Sequence, residues 1–199
     1  MTGSHSYGQH FQNGGTIFYP GYYDLLDRIK VIGADSALNR WKVLAEEYAK
    51  DELYRRPQND YGWTDMIGII NEFPESGLIP VSWVTGFMGM NPDYDGVHVN
   101  PAIPTDYEYM GMKDFSYGGR SFDVTVFKNG NLELNCKEGA GIDLSLENLS
   151  GKEKATVKIY EGDALKTSFE VSSENGMFII NLSAEYSRTV CRVVIDQNI

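Results

Sequence analysis

The spacing of apolar residues changes along this chain near residue 95. Up to Met90 they recur every three or four positions; beyond Gly96 they alternate with polar ones. Leu38, Trp41, Leu44, Ala45 and Tyr48 share one face of a helix that Asp35-Ser36 can cap, leaving Arg40, Lys42, Glu46, Glu47 and Lys50 outside. Ile17 to Ile32 reads as an earlier helix, carried by Leu25, Leu26 and Ile29 and ended by Gly33, with Pro20 and Gly21 in its first turn. A third helix is expected from Ile79 to Met88, with Pro80 in the first turn, where a missing N–H costs nothing. Between them, Trp63 to Phe73 fits a buried strand-like segment and a helical turn equally well.

After Gly96 the period is two. Phe122, Val124 and Val126 alternate, Asn129-Gly130 turns, and Leu132 and Leu134 alternate back. An Asn-Gly pair between alternating runs is a hairpin signal, because both turn residues need positive φ. Further strands are expected at Ile142–Leu149, Ala155–Tyr160, Leu165–Val171, Met177–Leu182 and Val190–Ile195, with a second turn at Asn175-Gly176. Short strands at this spacing predict an antiparallel β-sandwich. The chain then divides into an N-terminal tail (1–12), a helical segment (13–94) and a sandwich (95–199). Three helices with apolar faces do not close a bundle, so the chain reads as the C-terminal part of a longer protein.

Charge narrows the partners. Seventeen Lys and Arg face 28 Asp and Glu, a net charge of −11, spread over both halves. That field repels phosphate backbones, so no nucleic-acid partner is expected. No apolar run is long enough to span a bilayer. Cys136 and Cys191 are too few and too separated for a zinc site or a disulfide framework, and His5, His10 and His98 lack metal-ligand spacing, so neither metal nor cofactor is expected. The unusual feature is aromatic: 3 Trp, 13 Tyr and 9 Phe, a supply of flat rings with polar tips that suits sugars and protein surfaces.

Four segments carry a resemblance. They are His10-Phe11-Gln12-Asn13-Gly14-Gly15 before a helix, Phe73-Pro74-Glu75-Ser76-Gly77-Leu78 at a helix entrance, Gly89 to Pro101 with its Asn91-Pro92-Asp93-Tyr94-Asp95-Gly96 core, and Ala102-Ile103-Pro104 leading toward Tyr117 to Val124. In this order they resemble the C-terminal third of six-hairpin (α/α)6 glycosidases, closest to the family of cellobiose and chitobiose phosphorylases, over about residues 10–127. The resemblance implies an α+β fragment: the last helices of an (α/α)6 toroid followed by the sandwich. It also implies a carbohydrate substrate, and the missing N-terminal part of the toroid as partner.

Two departures turn that expectation toward hydrolysis. Tyr19 stands where the phosphorylases place a phosphate-holding histidine, and Glu75 falls within the segment matching their phosphate-side Thr-Gly-Ser-Ala-Gly-Trp run. A carboxylate repels phosphate but can activate water in an inverting displacement. Glu75 is therefore the candidate general base, with Glu72 the alternative. Asn13, Gly14, Gly15, Tyr19 and Trp63 are the candidate substrate-binding residues. Tyr22, Tyr23 and Trp83 are further cleft aromatics, and Asp60 and Asp65 are possible partners for sugar hydroxyls. The general acid would come from an upstream helix. A non-catalytic carbohydrate-binding or scaffolding module is the alternative from a different class, and a glycoside phosphorylase is the third reading. The sequence leaves the compartment open.

Overall fold

A computed structural model describes residues 20–51, 77–94, 96–137, 139, 141–182 and 190–197. The chain divides into two compact units between Trp83 and Val84.

In the first unit, helix α1 (Pro20–Val31) and helix α2 (Ala34–Asp51) form a hairpin. Pro20 opens α1 with a φ already suited to a helix. The end of α1 is closed by the Ile32 and Gly33 N–H groups, both donating to the Arg28 carbonyl at 2.9 and 2.8 Å. Gly33, at φ 121°, lets the chain reverse without strain. Asp24 accepts from Arg28 one turn on, at 2.9 Å, and from Arg40 of α2 at 3.2 Å, so one carboxylate ties the two helices. Leu25, Ala37, Leu38, Leu44 and Ile79 are buried. Gly21 is close enough that a Cβ there would lie 3.1 Å from the Leu44 side chain. The third helix is shorter than expected: α3 covers Leu78–Ser82 and continues as a π turn, Trp83–Phe87.

The second unit is a ten-stranded sheet. Its strands are β1 (Met90–Asp93), β2 (Gly96–Val99), β3 (Tyr109–Tyr117), β4 (Arg120–Phe127), β5 (Leu132–Cys136), β6 (Asp143–Glu147), β7 (Lys154–Glu161), β8 (Ala164–Glu174), β9 (Met177–Asn181) and β10 (Cys191–Asp196). Their spatial order is β1-β2-β6-β9-β8-β7-β10-β5-β4-β3. All described pairs are antiparallel except β2 with β6, which run parallel through Val97–Leu144 and Val99–Leu146. The sheet curls into a nearly closed barrel. Its edge strands β1 and β3 meet through the Tyr117 hydroxyl, which donates to the Asp93 carbonyl at 2.8 Å.

Alternation fills the interior. Phe122, Val124, Val126, Leu132, Leu134, Val193 and Ile195 are all at most 1 % exposed, and Leu144, Leu146, Phe178 and Ile180 join them from the other limb. Each such side chain contributes about 1.5–3 kcal/mol by leaving water. Gln197 closes one end and is fully buried. Its amide donates to the Gly130 and Glu147 carbonyls at 2.8 and 2.9 Å and accepts from the Leu149 N–H at 3.0 Å. Gly130, at φ 88°, is required here, since a Cβ would sit 2.8 Å from the Gln197 side-chain oxygen.

Two expectations are corrected. The helices are not those of an (α/α)6 toroid: the described residues hold three, and most of the fold is sheet. Gly89 to Pro101, one of the segments that carry the resemblance, contains the β1–β2 hairpin, and β2 joins the sheet through β6. The antiparallel sandwich is also replaced, by one continuous mixed sheet. The cause is β8. This eleven-residue strand pairs with β7 through Ala164 to Ser172 and then with β9 through Ser173 and Glu174, so it carries the ladder across what would be the gap between two layers.

Candidate functional site

The residues singled out in the sequence for catalysis and sugar binding, Asn13, Gly14, Gly15, Tyr19, Trp63, Glu72 and Glu75, lie outside the described residues, as do Asp60 and Asp65. Tyr22 and Tyr23 meet edge to face on α1, centroids 5.2 Å apart, and Trp83 packs on Trp41 at 5.1 Å. Each pair lies within the helical unit. His98 is an exposed residue of β2.

In the barrel unit, register builds a polar row that no local motif announces. The outward residues of four adjacent strands fall in line: Asp123 of β4 faces Asn135 of β5, Asn135 faces Arg192 of β10, and Arg192 faces Tyr160 of β7. Three strand spacings make this row about 14 Å long. The row beside it, two residues along each strand, runs Thr125, Glu133, Val194, Lys158. Arg192 lies over the Tyr160 ring, 4.4 Å from its centroid, a cation–π contact between neighbouring strands.

A bulge sharpens the other end of the row. Between Met112 and Phe115 the β3–β4 register shifts, and Asp114 in this bulge takes φ 57°. A bulge bends a strand and re-aims a side chain. Asp114 is held over Asp123: its N–H donates to the Asp123 carboxylate at 3.1 Å, and Ser121 donates to the Asp114 carboxylate at 3.4 Å. The Lys137 ammonium bridges both carboxylates, at 2.6 Å to Asp114 and 2.8 Å to Asp123. Hydrogen bonding to Lys137 is the largest cause holding both carboxyls below their ordinary range, and the same two partners raise Lys137.

This electrostatic state decides what the arrangement can do. A glycosidase pair needs one carboxyl kept protonated near neutral pH. Asp114 and Asp123 are both driven toward the ionised form, so neither is suited to be that acid. They are suited to accept hydrogen bonds, beside the Asn135 amide and the Arg192 donors. A recess of about 500 Å3 lies between the β6–β7 loop and β8, lined by residues that include Asn148, Lys152, Lys154 and Ser173. Its polar groups are largely turned on one another: the Asn148 amide donates to the Lys152 carbonyl at 2.7 Å, and Lys154 pairs with Glu170 at 2.6 Å.

Among the described residues, no cluster of His, Cys, Asp and Glu could hold a metal ion, and no helix is long and apolar enough to cross a membrane. No protein-family model, curated protein or solved structure matches the chain.

Proposed function

We propose that the barrel unit is a non-catalytic carbohydrate-binding module. The observation that carries this reading is the row Asp123–Asn135–Arg192–Tyr160, which lines up a carboxylate, an amide, a guanidinium and an aromatic ring on four neighbouring strands. Sugar hydroxyls are recognised by planar groups that accept or donate in pairs, and sugar rings by flat apolar faces. Fixing such groups on strands rather than on loops lowers the ordering cost of binding. The row is extended and open, which fits a stretch of oligosaccharide. Its charges are mixed, two cations (Arg192 and Lys137) with two carboxylates (Asp123 and Asp114), which fits a neutral sugar better than an anionic one.

The hydrolase expectation depended on toroid hairpins to bring Glu75 over a bound sugar. Without that architecture, and with both row carboxyls ionised, binding is the better supported activity. The test is affinity electrophoresis of the 199-residue protein in gels containing neutral soluble polysaccharides, followed by calorimetry with oligosaccharides of any that retard it. Asn135→Ala and Arg192→Leu should each weaken binding by about tenfold, one lost hydrogen-bonding group apiece. Lys166→Ala, at the exposed Glu161 pair on β8, should leave it unchanged. Row variants retarded as strongly as the unaltered protein, or no retardation by any polysaccharide, would remove this reading. Release of reducing sugar by the same protein would restore hydrolysis.

A further inference from the structure

Beneath the polar row, on the interior side of the same two strands, Cys136 of β5 and Cys191 of β10 are register partners, directly opposite one another. Both thiols are free and buried, at 1 % and 5 % exposure. Directly opposed residues in an antiparallel pair have Cα atoms about 4.5–5.5 Å apart, inside the span of about 4.4–6.8 Å that a disulfide bridges. Two cysteines 55 positions apart in sequence therefore stand within the Cα span that a disulfide bridges.

We propose that Cys136 and Cys191 form a reversible intramolecular disulfide that staples β5 to β10. The proposal stands on the register and does not depend on carbohydrate binding, although the staple would lie directly under the Asn135–Arg192 contact. Cys191 is the entry point. It is the more exposed of the two, it opens β10, and it follows Val190, which is 65 % exposed. The hydrogen bond between the thiols lowers the Cys191 pKa and raises that of Cys136, where burial acts in the same direction. Cys191 is thus the better nucleophile of the pair.

The oxidant is a low-molecular-mass disulfide. The Cys191 thiol loses its proton and its sulfur attacks one sulfur of the small disulfide, whose S–S bond breaks and releases one small thiol. The Cys136 sulfur, giving up its own proton, then attacks Cys191 Sγ and displaces the second small thiol. Two protein S–H bonds are lost and one S–S bond is gained. Two electrons and two protons pass to the small disulfide, which leaves as two thiols.

The test uses the full chain, reduced and then equilibrated with oxidised glutathione under native conditions. Thiol titration after denaturation should fall from two groups to none, and the intact mass should drop by two hydrogen atoms. A peptide joining residues 136 and 191 should appear in a non-reducing digest. Closing a long loop should raise the thermal midpoint by about 5 °C or more, and reductant should reverse the shift. Cys136→Ala/Cys191→Ala should show no redox-dependent shift. Persistent free thiols in the folded protein would overturn the proposal. So would a stable glutathione adduct, a disulfide between two chains, or a bond that lowers the midpoint.

Discussion

The helical hairpin and the barrel bury apolar residues by different means. Among the described residues of the helical unit, the buried apolar set is Leu25, Ala37, Leu38 and Leu44 of the hairpin with Ile79 of α3, while Val31 and Ile32, at the end of α1, and Val43 stay 83 %, 65 % and 50 % exposed. A helix presents one stripe, and whatever falls off the stripe faces water. In the barrel, the inward residues of β4, β5, β7 and β10 are at most 5 % exposed, because the sheet curls and covers its own apolar face. Polar side chains do the opposite work in the two units. Asp24 ties helix to helix through Arg28 and Arg40, whereas outward polar residues of the barrel line up in a row across neighbouring strands. Pattern with period 3.6 fixes which residues meet inside a helix; pattern with period two leaves the partner strand open.

The sharpest way to break this contrast is to remove one side chain from each core. Phe122 is completely buried at the centre of the sheet, and Phe122→Ala should cost about 3–5 kcal/mol, since the surrounding strands cannot collapse into the space. Leu25→Ala, in a smaller core where helices can shift, should fall near the low end for such changes, about 2 kcal/mol. Urea unfolding followed by β-sheet ellipticity reads the first, and tryptophan fluorescence from the Trp41–Trp83 pair reads the second. An equal or larger loss in Leu25→Ala would show that the hairpin is packed as tightly as the barrel.

Next in size is the buried amide that closes the barrel. Gln197→Leu keeps the volume but leaves the Gly130 and Glu147 carbonyls and the Leu149 N–H without that partner. Unmet buried polar groups should cost about 2–3 kcal/mol in the denaturant midpoint, with little change in slope. A loss between those of Phe122→Ala and Leu25→Ala is the expected order; a neutral effect would mean that water takes over the amide's bonds.

The residues themselves explain why some of this was legible and some was not. The alternation of Phe122, Val124 and Val126, the Asn129-Gly130 turn and the runs ending at Ile195 located seven strands, β4 to β10, because each signal is local. The other three have weaker patterns: β1 contains Pro92, β2 is only four residues long, and β3 is interrupted by Gly111 and by the bulge at Asp114. The pairing of β8 with both β7 and β9 has no local signature, and the sandwich expectation failed there. The polar row was invisible for the same reason. Asp123 and Arg192 are 69 positions apart and share a row only through strand order. Their outward direction could be read from the alternation, but not which strands are neighbours. Gly89 to Pro101, one of the segments behind the glycosidase resemblance, folds around the β1–β2 hairpin, a pairing that its residue order does not announce.

The smallest effect tests the charge state on which the site rests. Asp114 and Asp123 titrate below their ordinary 3.8, chiefly through the Lys137 hydrogen bonds, and Lys137 titrates above its ordinary 10.5. For the carboxylates, stabilisation is fully present above the unfolded-state value near pH 4 and is lost as pH falls through their lower folded values. For Lys137 it is fully present below the unfolded value near pH 10.5 and is lost as pH rises through its higher folded value. The trio therefore contributes across the whole neutral range. Because these groups sit in water, global stability at neutral pH should scarcely change in Lys137→Met. The titrations should change. Followed by carbon-13 shifts of the side-chain carboxyls, the Asp114 and Asp123 midpoints should move upward, Asp123 keeping the bond from the Asp114 N–H and so rising less. Unchanged midpoints would break the link to Lys137. A midpoint near neutral pH for either aspartate in the unaltered protein would reverse the sign, supply the protonated carboxyl that glycoside chemistry needs, and favour catalysis over binding on this face.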